Sequence, residues 1–379
     1  MFGTPRITIV GCGGAGGNTI TRLNKLGVKG AKTIAINTDK QALDLVEADK
    51  KLLIGGNITR GLGAGGFPDV AERAARESSR EIEELVKDAD LVFVTAGMGG
   101  GTGTGASPTI ARISKELDIL TVGVVTKPFT FEAKLRMKQA NEGIRELNEL
   151  VDALIIIPNN KLTEITDDDI TFINAFRLAD EVLMQGVRGI SDLIKTSGYI
   201  NVDFADVRTI MRHKGQALMG IGEGKGENKA VIAAEMAIKC PLLDEVNIQG
   251  ARGILLNITF GPDVKFHDVT KASEIIYNSA DENANIIIGT VLDNNLQDTI
   301  RVTIIATGFG MKRKKDIFTQ SEPLSFEDYI QETGLSGSKT ATANSKKISI
   351  PKYKSNDLSE KPFNEDDFEI PTFLRRKVN

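Results

Sequence analysis

The stretch "AGMGGGTGTGASP" (96–108) packs six glycines and two threonines into thirteen residues. A glycine inside a strand or helix is destabilising by about 0.5–1 kcal/mol relative to alanine. A folded chain keeps such a run only where it uses the bare backbone. The flanks place the run: the apolar β-rich "LVFVTA" (91–96) leads into it and a helical stretch follows, with Pro108 early in that helix, where a missing N–H is tolerated. The same arrangement opens the chain, as "RITIV" (6–10), then "GCGGAGGN" (11–18), then a helical stretch over 16–26. Two Gly-rich strand-to-helix turns put two sets of backbone N–H groups at one edge of a sheet, where helix N-termini favour anions.

The alternation continues through "TIAIN" (33–37), "KLLIG" (51–55), a helical stretch over 69–88, "ILTVGVVT" (119–126) and "ALIIIP" (153–158). Strands this apolar are buried on both faces, which predicts a parallel sheet covered by helices. A doubly wound, Rossmann-type α/β domain over 1–175 follows. The helical stretch 178–197 makes 176–199 a central connecting helix. Residues 200–311 read as a second, smaller α/β domain, with strands at 217–222, 253–260, 284–292 and 300–309 and helices at 228–239 and 268–281. Beyond that the composition turns to Ser, Thr, Lys, Asn and Glu. Too little apolar surface is left to offset ordering entropy, so 312–365 is expected to be a disordered linker. A compact island at 366–379 carries Phe368, Ile370, Pro371, Phe373 and Leu374 among charges.

A net charge of −4 argues against a general nucleic-acid binder. Cys12 and Cys240 make neither a disulfide nor a zinc framework, His213 and His267 are isolated, and no cluster has the spacing of a built-in metal site. No charged-then-apolar leader and no apolar run of about 18 residues are apparent. A cytoplasmic protein that does not insert into membrane is the expectation.

Gly11, Gly13 and Gly16 satisfy G-x-G-x-x-G, and Asp39 falls near where a Rossmann acidic residue meets a ribose. That motif alone fits a tight strand-to-helix turn equally well. The second Gly-rich run, with Thr102 and Thr104 as hydroxyl donors, and a third turn, "GLGAGG" (61–66), shift the balance. Three such turns suit a polyphosphate better than a single pyrophosphate. No G-x-x-x-x-G-K-[ST] occurs, so this is not a P-loop chain.

"GGGTGTG" (99–105) resembles the phosphate-loop signature of the tubulin superfamily. With "GCGGAGGN", "INTDKQAL" (36–43), "GLGAGGFP" (61–68), "TKPFTFEAKLR" (126–136), "IIPNNKL" (156–162), "AFRLADEVL" (175–183) and "INVDFADVRTIM" (200–211), the chain resembles the FtsZ family, tubulin-like GTPases of prokaryotic cell division. The resemblance covers about 5–310 and the last dozen residues, and implies a tubulin-like fold. It implies phosphates against Gly13, Gly14, Gly100, Gly101, Thr102, Gly103, Thr104 and Gly105. It implies ribose contacts from Glu132 and Arg136, which by spacing alone are a surface i,i+4 ion pair. Asn159, Phe176 and Asp180 match base-recognition positions, with Phe176 stacking on the purine and Asp180 accepting from guanine N1–H and N2–H₂. By periodicity alone Phe176 is a core residue and Asp180 a solvated one.

Asn201, Asp203 and Asp206 are the implied catalytic loop; by spacing, Asn201 or Asp203 could equally cap a helix. In the family this loop enters the nucleotide pocket of the next subunit, where the two carboxylates position the attacking water. GTP/GDP with Mg²⁺, head-to-tail self-polymerisation, assembly-activated hydrolysis and a midcell division ring are implied in turn. The terminal peptide would bind membrane-adaptor and division proteins. Three rivals stand beside this: a dinucleotide-dependent oxidoreductase, a non-hydrolysing filament protein, and a paralogue controlling cell shape. The second Gly loop counts against the first, and Asp203 and Asp206 against the second. The terminal peptide favours division over the third.

Overall fold

The computed structural model describes residues 5–309, apart from 27, 29, 163, 165–169, 196–198, 213–214 and 244–247. Its strands are β1 (Ile7–Cys12), β2 (Ala31–Asn37), β3 (Lys50–Leu53), β4 (Leu91–Gly97), β5 (Leu120–Lys127), β6 (Ala153–Pro158), β7 (Gln216–Lys225), β8 (Gly253–Phe260), β9 (Asn285–Leu292) and β10 (Thr299–Thr307). The helices of the first half are α1 (Gly13–Leu26), α2 (Lys40–Asp44), α3 (Gly56–Thr59), α4 (Pro68–Glu77), α5 (Ser79–Val86), α6 (Thr102–Glu116), α7 (Lys134–Leu150) and α8 (Asn159–Leu162). They are followed by α9 (Phe172–Lys195), α10 (Phe204–Met211), α11 (Lys229–Ile238) and α12 (Phe266–Ser279).

One sheet runs in the order β3-β2-β1-β4-β5-β6-β7-β10-β8-β9. Neighbours from β3 to β7 are parallel, β10 is antiparallel to both β7 and β8, and β9 is parallel to β8. The fold is the expected parallel-dominant α/β arrangement, and the strand residues show why. Ile7 and Ile9, Leu91 and Phe93, and Ile155 and Ile157 enter one apolar core, together with Leu183, Val187 and Ile190 of α9. Their neighbours Val10, Val92 and Val94, and Leu154 and Ile156 enter a second, with Ile110 of α6 and Leu147 of α7. Successive strand residues point to opposite faces, so a strand apolar at every position needs helices on both sides. The β6–β7 join is narrow, pairing only Leu154 with Gln216 and Ile155 with Ala217. Beyond it, a third core gathers β8 and β10 against α11 and α12.

Three helices depart from their sequence expectation. The stretch 69–88 is two helices, broken at Ser78, whose buried hydroxyl accepts from Gly55 N at 3.2 Å. That bond ties the break to α3, while Ser78 N still donates to Ala74 O and Ser78 O accepts from Ile82 N. Helix α9 begins at Phe172, six residues before the expected 178; its first turns carry exposed Phe172 and Ile173, so apolar burial gave no sign of them. Helix α6 begins at Thr102, inside the glycine run, which makes Pro108 an interior proline. The carbonyl it leaves free, Thr104 O, faces Gly143 of α7, where a Cβ would come within 3.4 Å. Among the described residues no helix is long and apolar enough to cross a membrane.

Candidate nucleotide site

The two Gly-rich turns meet at the C-terminal ends of β1 and β4. Gly13 has φ +70, and a Cβ there would stand 3.0 Å from Gly103 N. A Cβ on Gly103 would lie 2.6 Å from Gly97 O. Glycine is needed at both positions for backbone to pass backbone. Gly14 and Gly100 are different: a Cβ on either meets nothing within 4 Å. Packing does not require them, yet both line a cavity of about 320 Å³. Bare backbone facing open space at the N-termini of α1 and α6 is the form that close approach by an anion needs.

The same cavity is lined by Gly101, Thr102, Gly103, Glu132, Arg136, Asn159, Phe176 and Asp180. Thr104 and Gly105, expected at the phosphates, do not line it. Thr104 is buried and its hydroxyl accepts from Gly99 N at 2.8 Å, which shapes the turn from behind. Gly105 packs against the Pro68 carbonyl of α4. The third turn also braces rather than lines: a Cβ on Gly101 would be 2.8 Å from the Ala64 methyl and 3.3 Å from Gly66 N. Asp39 caps α2, accepting from Ala42 N at 3.0 Å, and is not at the cavity.

Glu132 and Arg136 pair at 2.6 Å, though not along one helix. Glu132 ends a 3₁₀ turn (Thr130–Glu132), α7 starts at Lys134, and Ala133 between them has φ +86. The second Glu132 oxygen accepts from Phe129 N at 2.9 Å, so its carboxylate is fixed from two directions. Phe176 belongs to an aromatic group whose most buried ring is Phe129. Its ring lies 5.2 Å from Phe129, 5.1 Å from Phe172 and 6.2 Å from Phe131.

One turn along α9, Asp180 faces α1. Its carboxylate lies 3.5 Å from Asn18 Nδ2 and 3.7 Å from Arg22. Burial pushes the Asp180 carboxyl above its ordinary range, and the Arg22 charge and the Asn18 bond only partly oppose this. Sequence reading missed Asn18 and Arg22. Their four-residue spacing on α1 was the available signal, since it puts both on one face. Asn159 is 5% exposed, and its Oδ1 has no hydrogen-bond partner among the described residues. A buried acceptor left unpaired in a cavity wall is costly unless a ligand donates to it.

Asn201, Asp203 and Asp206 lie elsewhere. All three are exposed and none lines the cavity. Asp203 caps α10, accepting from Ala205 N at 3.3 Å, and Asp206 sits in its first turn. The loop is pinned to β9 by Ile200 N donating to Thr290 Oγ1 and by Thr290 N donating to Ile200 O, while Val202 is buried in the first core. Phe368, Ile370, Pro371, Phe373 and Leu374 fall outside the described residues. Among the described residues, no group of three or more His, Cys, Asp or Glu could hold a metal ion.

Comparison with known proteins agrees with this geometry. The profile of the Tubulin/FtsZ family, GTPase domain, matches residues 6–167, and that of the FtsZ family, C-terminal domain, matches 215–310. A solved structure described as an empty FtsZ dimer of M. jannaschii is 49% identical, with a TM-score of 0.78, covering 81% of this chain and 89% of that one. A GTPgS-bound protofilament of CetZ2 from Haloferax volcanii is 18% identical, with a TM-score of 0.65 over 81% of this chain and 94% of that one, a likeness of fold alone. Two family models that together span most of residues 6–310, and 49% identity to a solved relative over 81% of this chain, converge on one assignment: the chain belongs to the FtsZ family of tubulin-like GTPases.

Proposed function

We propose that this chain binds GTP in the cavity, polymerises head to tail in the cytoplasm, and hydrolyses GTP at a site completed by the next subunit, building the division ring at midcell. Residues 1–175 form the nucleotide domain, the connecting segment 176–199 adds Phe176 and Asp180 to its site, and 200–311 carry the acidic loop. The phosphates lie along Gly13, Gly14 and Gly100 to Gly103, with Glu132 and Arg136 at the ribose. Phe176 takes the face of the purine and Asp180 accepts from its N1–H and N2–H₂, a donor pair adenine lacks. Asn159 Oδ1 gains a donor from the nucleoside.

One observation carries this reading. The cavity gathers groups for phosphate, ribose and base, while Asn201, Asp203 and Asp206 stand exposed outside it. A carboxylate pair on display, remote from the site of its own chain, suits delivery to a neighbour. Exposed apolar groups support such a contact: Phe131, Leu135 and Phe172 near the cavity, and Tyr199 and Ile200 beside the acidic loop. Joining two unlike surfaces propagates an open filament rather than closing a dimer.

Both carboxylates of the cavity, Glu132 and Asp180, already face an arginine. Mg²⁺ therefore fits here as a partner of the phosphate oxygens, and when bound it would neutralise charge on them. The terminal peptide 366–379 takes membrane-adaptor and division proteins as partners. Light scattering and phosphate release with GTP, at several protein concentrations, test the central claim. The rate per subunit should rise as filaments form; a rate per subunit independent of concentration would overturn it.

A further inference from the structure

Thr38 follows β2 and is fully buried. Its hydroxyl lies 2.7 Å from Thr102 Oγ1, across 64 residues of sequence, and either oxygen can be the donor. The surroundings choose between them. Thr38 N donates to Asn37 Oδ1 at 2.9 Å, and its carbonyl accepts from Gly63 N at 3.0 Å and from the Thr59 hydroxyl at 3.2 Å. The backbone is thus fixed, and a β-branched side chain has little rotamer freedom left. If Thr102 donated to Thr38, the Thr38 proton would be buried with no acceptor among the described residues, at the full desolvation cost of an unmade hydrogen bond. If Thr38 donates to Thr102, every buried group is satisfied. The Thr102 proton is then left free at a half-buried residue lining the cavity.

We infer that Thr38 is a positioning residue: its hydroxyl donates to Thr102 Oγ1 and holds the Thr102 proton toward a phosphate oxygen of the bound nucleotide. This rests on the nucleotide reading of the cavity. It also gives the third Gly-rich turn a purpose, since Gly63 N anchors the carbonyl of the residue that orients Thr102. Threonine at 102 without its partner is free to turn and accept instead, which sets a lone pair against an anion.

Binding of GTP and of guanosine is measured by fluorescence competition, below the concentration of assembly, for the full chain and three variants. Thr38→Val keeps the shape and removes the donor, Thr38→Ser keeps the donor, and Thr102→Val removes the group that is oriented. Thr38→Val should weaken GTP binding about five- to tenfold, the scale of one ordinary hydrogen bond. Guanosine, which has no phosphate, should bind all variants alike. Thr38→Ser should restore GTP binding to within about twofold, and Thr38→Val should cost nothing further in the Thr102→Val background.

If the wild type fails to bind GTP, the cavity reading itself falls. If the wild type binds GTP and Thr38→Val binds it equally well, the relay alone is overturned. Equal loss for GTP and guanosine, without rescue by serine, would make Thr38 a packing residue and overturn it too. Should Thr38→Val not fold by circular dichroism, Thr38→Cys, a near-isostere with only a weak S–H donor, carries the same two outcomes.

Discussion

The two ends of the cavity are made of different materials. At the phosphate end the walls are backbone: Gly13, Gly14 and Gly100 to Gly103, with the Thr102 hydroxyl as the polar side chain among them. At the nucleoside end the walls are side chains delivered by separate elements. Glu132 comes from the 3₁₀ turn, Arg136 from α7, Asn159 from α8, and Phe176 and Asp180 from α9. Backbone N–H groups serve any polyphosphate, so on the reading proposed above the first end supplies affinity without choice of base. Side-chain donors and acceptors serve one pattern, so the second end supplies the choice. The first should therefore fail by bulk and the second by chemistry.

The largest effect is expected where bulk enters the backbone wall. Gly103→Trp puts an indole where even a Cβ would lie 2.6 Å from Gly97 O, and nucleotide binding should be lost. Its acidic loop remains intact. Asp206→Ala is the converse: it should bind GTP normally and hydrolyse little. Each alone should be nearly inactive. Mixed, a GTP-loaded Asp206→Ala subunit meets the intact loop of a Gly103→Trp subunit, and phosphate release should exceed the sum of the two. Both variants must be folded by circular dichroism and must co-sediment. Co-assembly with purely additive release would place the loop's chemistry within its own chain.

At the nucleoside end the effect should be smaller and selective. Asp180→Ala removes one charged acceptor of two hydrogen bonds, and GTP affinity should fall about 10- to 100-fold while ATP affinity stays where it was. A pocket that hydrogen-bonds its substrate discriminates strongly, because the wrong base leaves a buried polar group unpaired. Equal wild-type affinity for GTP and ATP, in competition binding, would show that the base is not read here.

The same contrast governs what could be read from sequence. The phosphate end is contiguous in the chain, and glycine has few reasons to cluster, so Gly97–Gly105 and Gly11–Gly16 announce themselves. The sheet is equally legible, since strands such as β4 run apolar on both faces from Leu91 to Val94. Phe176 and Asp180 look like any residues of an amphipathic helix; only the family resemblance singled them out. Asn18 and Arg22 act on a residue 162 and 158 positions away, a proximity no local pattern carries. The helix break at Ser78 coincides with a bond from Gly55 N, 23 residues away, and Glu132 leaves the helix that its spacing with Arg136 suggested because it bonds Phe129 N and Ala133 turns to φ +86. The first contact is invisible to a local period, and the second is a local turn that the i,i+4 spacing hides.

A smaller effect separates the ends by pH. Burial holds the Asp180 carboxyl above the ordinary carboxylate range. In the proposed reading the ionised form is the one that accepts twice from guanine, so GTP affinity should start to decline on acidification at a pH above that range. Stability of the nucleotide-free protein should move the opposite way. A carboxyl raised in the folded state contributes its stability below the unfolded pKa and loses it as pH rises through the folded one. Asp180→Asn cannot titrate, so its GTP affinity should be lower but flat across that interval. An unchanged acid limb in this variant would assign the titration to another group.

The smallest effect is expected furthest from the cavity. The segment after β10 is dominated by Ser, Thr, Lys, Asn and Glu, and near its end Phe368, Ile370, Phe373 and Leu374 stand close together among charges. None of the groups that make the cavity or the acidic loop lies beyond residue 206. A chain ending at Asn364 therefore keeps both unlike surfaces that a head-to-tail contact needs. With GTP it should scatter light and release phosphate much as the full chain does. What it should lose is recruitment. A short apolar set flanked by charge is suited to folding into a groove on a partner, which in the proposed function carries the membrane attachment. Sedimentation with GTP, alone and with vesicles bearing an adaptor, separates the two roles. Assembly that fails without 365–379 would bring the terminal peptide into the polymer contact itself, and the division between a self-sufficient body and a recruiting tail would not hold.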